Sequence, residues 1–125
     1  MEKDDVLHFN QQMRDRTRLF AINVYKMMQD VRMNGLSFIS AKQLLRSSSS
    51  VAANFGSAAR GRSNAEFYSK ICIVVEECDE TVFWLDFMID TGVLTISQTN
   101  SLKKEAEELL HLFASIKRKM KAKRS

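Results

Sequence analysis

The chain has 125 residues, enough for one domain with a core that needs no disulfide or metal to hold it. Its 45% hydrophobic and 27% charged residues exclude a disordered or fibrous chain, and the net charge of +4 is what remains after a marked segregation along the sequence. Proline is absent and only four glycines occur, so the chain has few places to break; with abundant Ala, Leu, Met, Lys, Arg, Glu and Gln, long helices are expected.

The first predicted helix covers about residues 9–33, where Leu19, Ile22, Val24, Tyr25, Met28 and Val31 recur at helical period between charged residues. Asn34-Gly35 reads as its stop, and Ser37 as the cap of a second helix over about 37–60. From Ser47 to Ala59 only Val51, Asn54 and Phe55 are larger than serine. That composition fits a flexible linker or a small-residue helix face that lets a neighbouring backbone approach closely; the helix face is the better reading.

Ser63 followed by Glu66 forms a capping-box pattern that opens a third helix, about 64–91, with Thr91-Gly92 as its stop. Phe67, Ile71, Val74, Cys78, Leu85 and Met88 make one apolar stripe. Tyr68, Cys72, Val75, Val82 and Ile89 make a second beside it, widened by Phe83, Trp84 and Phe87. A helix apolar over so much of its surface is either central to the core or also meets another subunit. A fourth helix over about 97–121 begins at Ser97 and carries Leu102, Ala106, Leu109, Leu110, Leu112, Phe113 and Ile116. Short connections make consecutive helices antiparallel neighbours, so the expected fold is an all-α, up-down-up-down four-helix bundle spanning residues 1–125.

Residues 37–63 hold Lys42, Arg46, Arg60 and Arg62 with no acid, whereas residues 64–100 hold seven acids against Lys70 alone. A hairpin turning near residue 62 sets Arg46 opposite Cys78. Arg46 then comes within reach of Glu76, Glu77 or Glu80, and a register-pinning ion pair in or near the core, with Glu80 or Glu76, is predicted. The final IKRKMKAKRS contains Lys117, Arg118, Lys119, Lys121, Lys123 and Arg124 and no acid. Such a tail suits a helix C-terminus electrostatically, and it equally suits contact with a phosphate backbone. Arg60 and Arg62 form a second basic corner.

Several other chemistries fail on spacing. GSAARGRS, residues 56–63, has two glycines, a basic residue and a serine like a phosphate-binding loop, but no strand precedes it and Arg62 stands where lysine is needed. Cys72 and Cys78 match no zinc spacing and are expected to be reduced core thiols. His8 and His111 belong to no ligand-spaced set, and the carboxylates Glu76, Glu77, Asp79 and Glu80 lack the Glu-x-x-His partner of bundle metal sites. A non-enzymatic protein without a cofactor or metal is expected. No run of roughly 18 apolar residues occurs, and the acidic start MEKDD lacks the basic-then-apolar layout of a signal peptide, so no membrane span and a cytoplasmic location are expected.

Residues 43–94 carry a specific family pattern. Arg46, the serines Ser47 to Ser50, Val51 and Ala53-Asn54 are followed by Glu66-Phe67, the Glu77 to Thr81 segment and Trp84-Leu85. In this order the sequence resembles the four-helix bundle proteins encoded within intervening sequences of bacterial 23S ribosomal RNA genes, a family that includes the accessory protein of diversity-generating retroelements. The resemblance implies a homopentameric ring, and for the retroelement relative a reverse transcriptase and nucleic acid as partners. Two functions are therefore expected as alternatives. One is a homo-oligomer that binds RNA or DNA through Arg60, Arg62 and the basic tail; the other is a protein-interaction scaffold without nucleic-acid contact.

Overall fold

The computed structural model describes residues 2–124, with Arg124 described by its backbone alone. The element order is α1 (Lys3–Gln29), α2 (Gly35–Ala59), α3 (Asn64–Asp90) and α4 (Ile96–Arg124), and no strand occurs among the described residues. Each helix packs on its two neighbours, α1 on α2 and α4, and α3 on α2 and α4. The result is the expected antiparallel four-helix bundle, with α2 against α3 as the most extensive interface and α1 against α4 as the thinnest.

α1 exists because Met13, Thr17, Phe20, Val24 and Met28 return to one side at intervals of three and four residues, and all are buried. It starts six residues earlier than the apolar pattern suggests, since residues 3–8 are exposed helix carrying Asp4 and Asp5 in the favourable first turn. It also ends earlier, with Asp30 as its C-cap. The reason is Asn34, which serves the next helix instead of closing this one. Its Oδ1 accepts from the backbone N–H of Leu36 at 3.0 Å and of Ser37 at 3.1 Å, while its own N–H donates to Ser37 Oγ at 2.8 Å. Ser37 is thus the third residue of a capping box and not the cap.

α2 is continuous through the small-residue stretch, so the linker alternative is wrong. Ser40, Ala41, Ser47 and Ser48 are buried, and the hydroxyls of Ser40 and Ser47 donate to the carbonyls three residues back at 3.0 and 3.2 Å. Those bonds let the serines enter the core without an unmet polar group. The turn to α3 needs Gly61, where an added Cβ would stand 3.1 Å from the Ala58 carbonyl. Ser63 caps α3 by accepting from Glu66 N–H at 3.1 Å, and Glu66 Oε2 accepts from Arg62 N–H at 2.6 Å.

α3 closes in a Schellman arrangement: Val93 N–H donates to Met88 O at 2.9 Å and Gly92 N–H to Ile89 O at 3.0 Å, with Gly92 at φ +80°. α4 is started by Thr95 rather than Ser97. Thr95 Oγ1 accepts from Gln98 N–H at 3.1 Å, and Gln98 Oε1 accepts from Thr95 N–H at 2.8 Å. Leu102, Ala106, Leu109 and Phe113 carry the buried face of α4, and Phe113 meets Phe55 of α2 across the bundle axis with ring centroids 5.3 Å apart.

Candidate nucleic-acid interface

The residues singled out from the sequence fall into two regions, the α2–α3 seam and one end of the bundle. At the seam, Arg46 forms an ion pair with both Glu77, at 3.1 Å, and Glu80. Its Nε also donates to Gln43 Oε1 at 3.3 Å. Trp84 Nε1 donates to Glu80 at 3.3 Å, and Thr81 Oγ1 donates to Ser47 Oγ at 3.0 Å. The Arg46 guanidinium holds the Glu80 carboxyl below the usual glutamate range, and the carboxylates hold Arg46 above its own. Placing Arg46 opposite Cys78 by counting residues from the turn is therefore sound, since its partners lie on either side of that position.

Two parts of the expected pair are corrected. Glu76 is not a partner: it is exposed, turned by one residue, or about 100°, from Glu77, whereas Glu77 and Glu80 stand three apart on the side facing α2. The pair also lies at the surface, not in the core, because the Arg46 side chain is 47% exposed. Its worth is that of a surface pair, below about 1 kcal/mol.

A second seam was not legible in the sequence. Arg16 of α1 makes a two-pronged contact with Glu105 of α4, Nε to Oε2 at 2.8 Å and Nη2 to Oε1 at 2.6 Å, and reaches Glu108 at 3.0 Å. Lys103 pairs with Asp86 between α4 and α3 at 2.7 Å. Glu105 and Glu108 do carry the three-residue spacing of a shared helix face, but nothing local sets α1 in register with α4. Along the chain these two helices are connected only through α2 and α3.

At the bundle end, the α2–α3 turn with Arg60 and Arg62 lies beside the last turns of α4. The basic tail is helical through Arg124, so Lys117, Arg118, Lys119, Lys121 and Lys123 are presented from a fixed scaffold; the side chain of Arg124 lies outside the described residues. Among the described residues none of these five, nor Arg60 or Arg62, forms an ion pair. Asp4 and Asp5, in the first turn of α1, stand at the same end. Arg62 and Met120 line a single cavity of about 340 Å³, which unites the two basic segments that the sequence kept apart by more than fifty residues.

No group of three or more His, Cys, Asp or Glu side chains suited to a metal occurs among the described residues. His8 and His111 are both exposed, at opposite ends of the chain. Cys72 and Cys78 are free thiols, and burial pushes the Cys78 thiol up to about 12, which leaves it an unreactive core residue. GSAARGRS forms the end of α2, the Gly61 turn and the α3 cap, with the Arg60 guanidinium folded back to within 3.4 Å of where a Gly56 Cβ would be. No helix of the described residues is long and apolar enough to cross a membrane.

Fold and seam together define the class: an up-down-up-down four-helix bundle closed at α2–α3 by Arg46 on Glu77 and Glu80 and by Ser47 on Thr81. A family model described as 23S rRNA-intervening sequence protein matches residues 10–115, and the chain belongs to that family. It is also similar to the crystal structure of a protein of unknown function from the S23 ribosomal protein family of Bacteroides thetaiotaomicron VPI-5482, with 30% identity and a TM-score of 0.77. That similarity covers 87% of this chain and 97% of the other. No curated protein matches the sequence.

Proposed function

We propose that this protein is a non-enzymatic, homo-oligomeric accessory protein, a pentameric ring of four-helix bundles, that binds RNA or DNA through its basic end. The observation that carries the nucleic-acid reading is the convergence of Arg60, Arg62 and the five described cations of α4 on one end of the bundle without an acidic partner. Cations left unpaired on a rigid helix attract phosphates and release counterions on binding, so affinity falls steeply with salt. Repeating that end around a ring multiplies the attraction through multivalency.

Assembly is supported by the exposed faces. On α3 the exposed Ile73, Glu76, Phe83 and Phe87 make an outer face that is apolar and acidic. On α1 and α2 the exposed Arg14, Arg18, Tyr25, Phe38 and Lys42 are apolar and basic. Two different, complementary faces on one chain favour head-to-tail contact, which closes into a ring when the rotation allows.

Binding of a short single-stranded RNA and DNA, titrated with salt, tests the proposal. Removal of residues 117–125 is expected to abolish binding and flatten the salt dependence, and native mass spectrometry is expected to give five subunits. A second reading, a protein scaffold without nucleic-acid contact, is favoured by the cavity of about 660 Å³ at the other end, where Leu36, Ile39, Trp84 and Phe87 leave apolar surface open. Absence of binding to either nucleic acid at low salt would leave that reading in place.

A further inference from the structure

The thin α1–α4 seam leaves a groove at the basic end of the bundle. Its walls are largely apolar: Val6 and Phe9 from α1, Phe67 from α3, and Leu112, Ile116 and Met120 from α4, around about 480 Å³, with Asn10, Ser115 and Lys119 also lining it. Phe9 and Phe67 are only partly buried, so their rings are accessible from the groove. The second cavity, of about 340 Å³, shares Val6, Asn10, Phe67 and Met120 with the first. Beyond the shared residues its lining adds the polar Ser63 and Asn64 and the cation Arg62.

We infer that this double groove is a binding site for an unstacked nucleobase of a single-stranded RNA or DNA. The inference rests on the nucleic-acid reading above and narrows it to single strands. The base would lie in the apolar part against the rings of Phe67 and Phe9, since every base offers a flat face to an aromatic ring. The carboxamides of Asn10 and Asn64 each offer a donor and an acceptor to the base edge. Lys119 lines the apolar part and Arg62 the polar part, so each part carries one cation for a flanking phosphate. The charge of the rim selects this occupant. A neutral apolar segment would gain nothing from the cations that line the two parts, and a duplex keeps its bases stacked and out of reach.

The test uses the full chain at low salt, with a short oligonucleotide that carries a fluorescent adenine analogue, as a single strand and annealed to its complement. The single strand is expected to bind on the order of tenfold more tightly than the duplex, with quenching of the analogue. Phe67→Leu and Phe9→Leu keep the groove apolar but remove the flat ring. Each is expected to weaken single-strand binding on the order of tenfold, abolish the quenching and leave duplex binding and its salt dependence unchanged. Thermal unfolding of each variant checks that the bundle persists, and Phe67→Trp, which restores a ring, is expected to recover quenching even if Phe67→Leu is destabilised. Equal affinity for strand and duplex with no response to Phe67→Leu would overturn the base site while leaving backbone binding intact. Absence of binding to both would overturn backbone binding as well. Uptake of decanoate in the groove, with oligonucleotide quenching unaffected, would assign the site to an anionic amphiphile and also overturn the inference.

Discussion

Thr81 Oγ1 donates to Ser47 Oγ at 3.0 Å, a buried hydroxyl pair that joins α3 to α2 one residue along from the Arg46 contacts. Ser47 passes the interaction on to the Leu44 carbonyl at 3.2 Å, and the Thr81 oxygen lies 2.7 Å from the Glu77 carbonyl. Each hydroxyl has one proton, so Thr81 donates to Ser47 or to the Glu77 carbonyl at any one time while Ser47 donates to Leu44, and neither hydroxyl is left without a partner. Serine at position 47 also keeps the two helices close. Thr81→Val keeps the shape and leaves Ser47 its own carbonyl, so a loss of about 1 kcal/mol is expected in urea unfolding. Ser47→Leu, which forces bulk into the buried α2–α3 seam, is expected to cost about 1 to 3 kcal/mol or more.

Arg46→Met tests the ion pair at the same seam. Because the side chain is half-exposed, the loss is expected to stay below about 1 kcal/mol, with helicity unchanged. The pH dependence carries the sharper signal. Glu80 has its pKa lowered in the folded state, chiefly by the hydrogen bond from Arg46, so the folded protein binds fewer protons than the unfolded chain on the acid side. The pair's contribution is complete above the ordinary glutamate range and disappears as the pH falls through the lowered value. In Arg46→Met this part of the acid destabilisation is expected to be absent, as followed by urea midpoints across the acid range.

The glycines separate by conformation. Gly92 sits at φ +80°, so Gly92→Ala is expected to cost about 1 to 2 kcal/mol although nothing crowds the added methyl. Gly35 has ordinary backbone angles and open space, and Gly35→Ala at the start of α2 is expected to stabilise by about 0.4 to 1 kcal/mol. Differential scanning calorimetry of the two variants should move the melting temperature in opposite directions.

Thiol labelling distinguishes the two cysteines. Cys72 is partly exposed, whereas Cys78 is buried and its thiolate is disfavoured by burial. At mildly alkaline pH one thiol is expected to react in the native protein and both in urea. Fast labelling of Cys78 in the native state would show that α3 opens locally.

The four helices and their order were legible because each rests on a local signal: an apolar period, a cap or a glycine stop. Where the reading of boundaries erred, two local signals competed. Asn34-Gly35 suits both a helix end and a helix start, and the capping bonds to Leu36 and Ser37 decide for the start. The exposed first turns of α1 carry no apolar period, so nothing marked Lys3 as helical.

The sequence by itself determined the bundle and the α2–α3 register, because a four-residue turn leaves two long helices almost no freedom to slide. Tertiary structure alone decided which glutamates meet Arg46, since one residue along α3 turns a side chain by about 100° and separates Glu76 in solvent from Glu77 at the seam. It alone joined Arg16 to Glu105 and set Arg62 and Met120 on one cavity, across some ninety and sixty residues of chain. Contacts of that separation depend on how all four helices close, and no local pattern of residues encodes them.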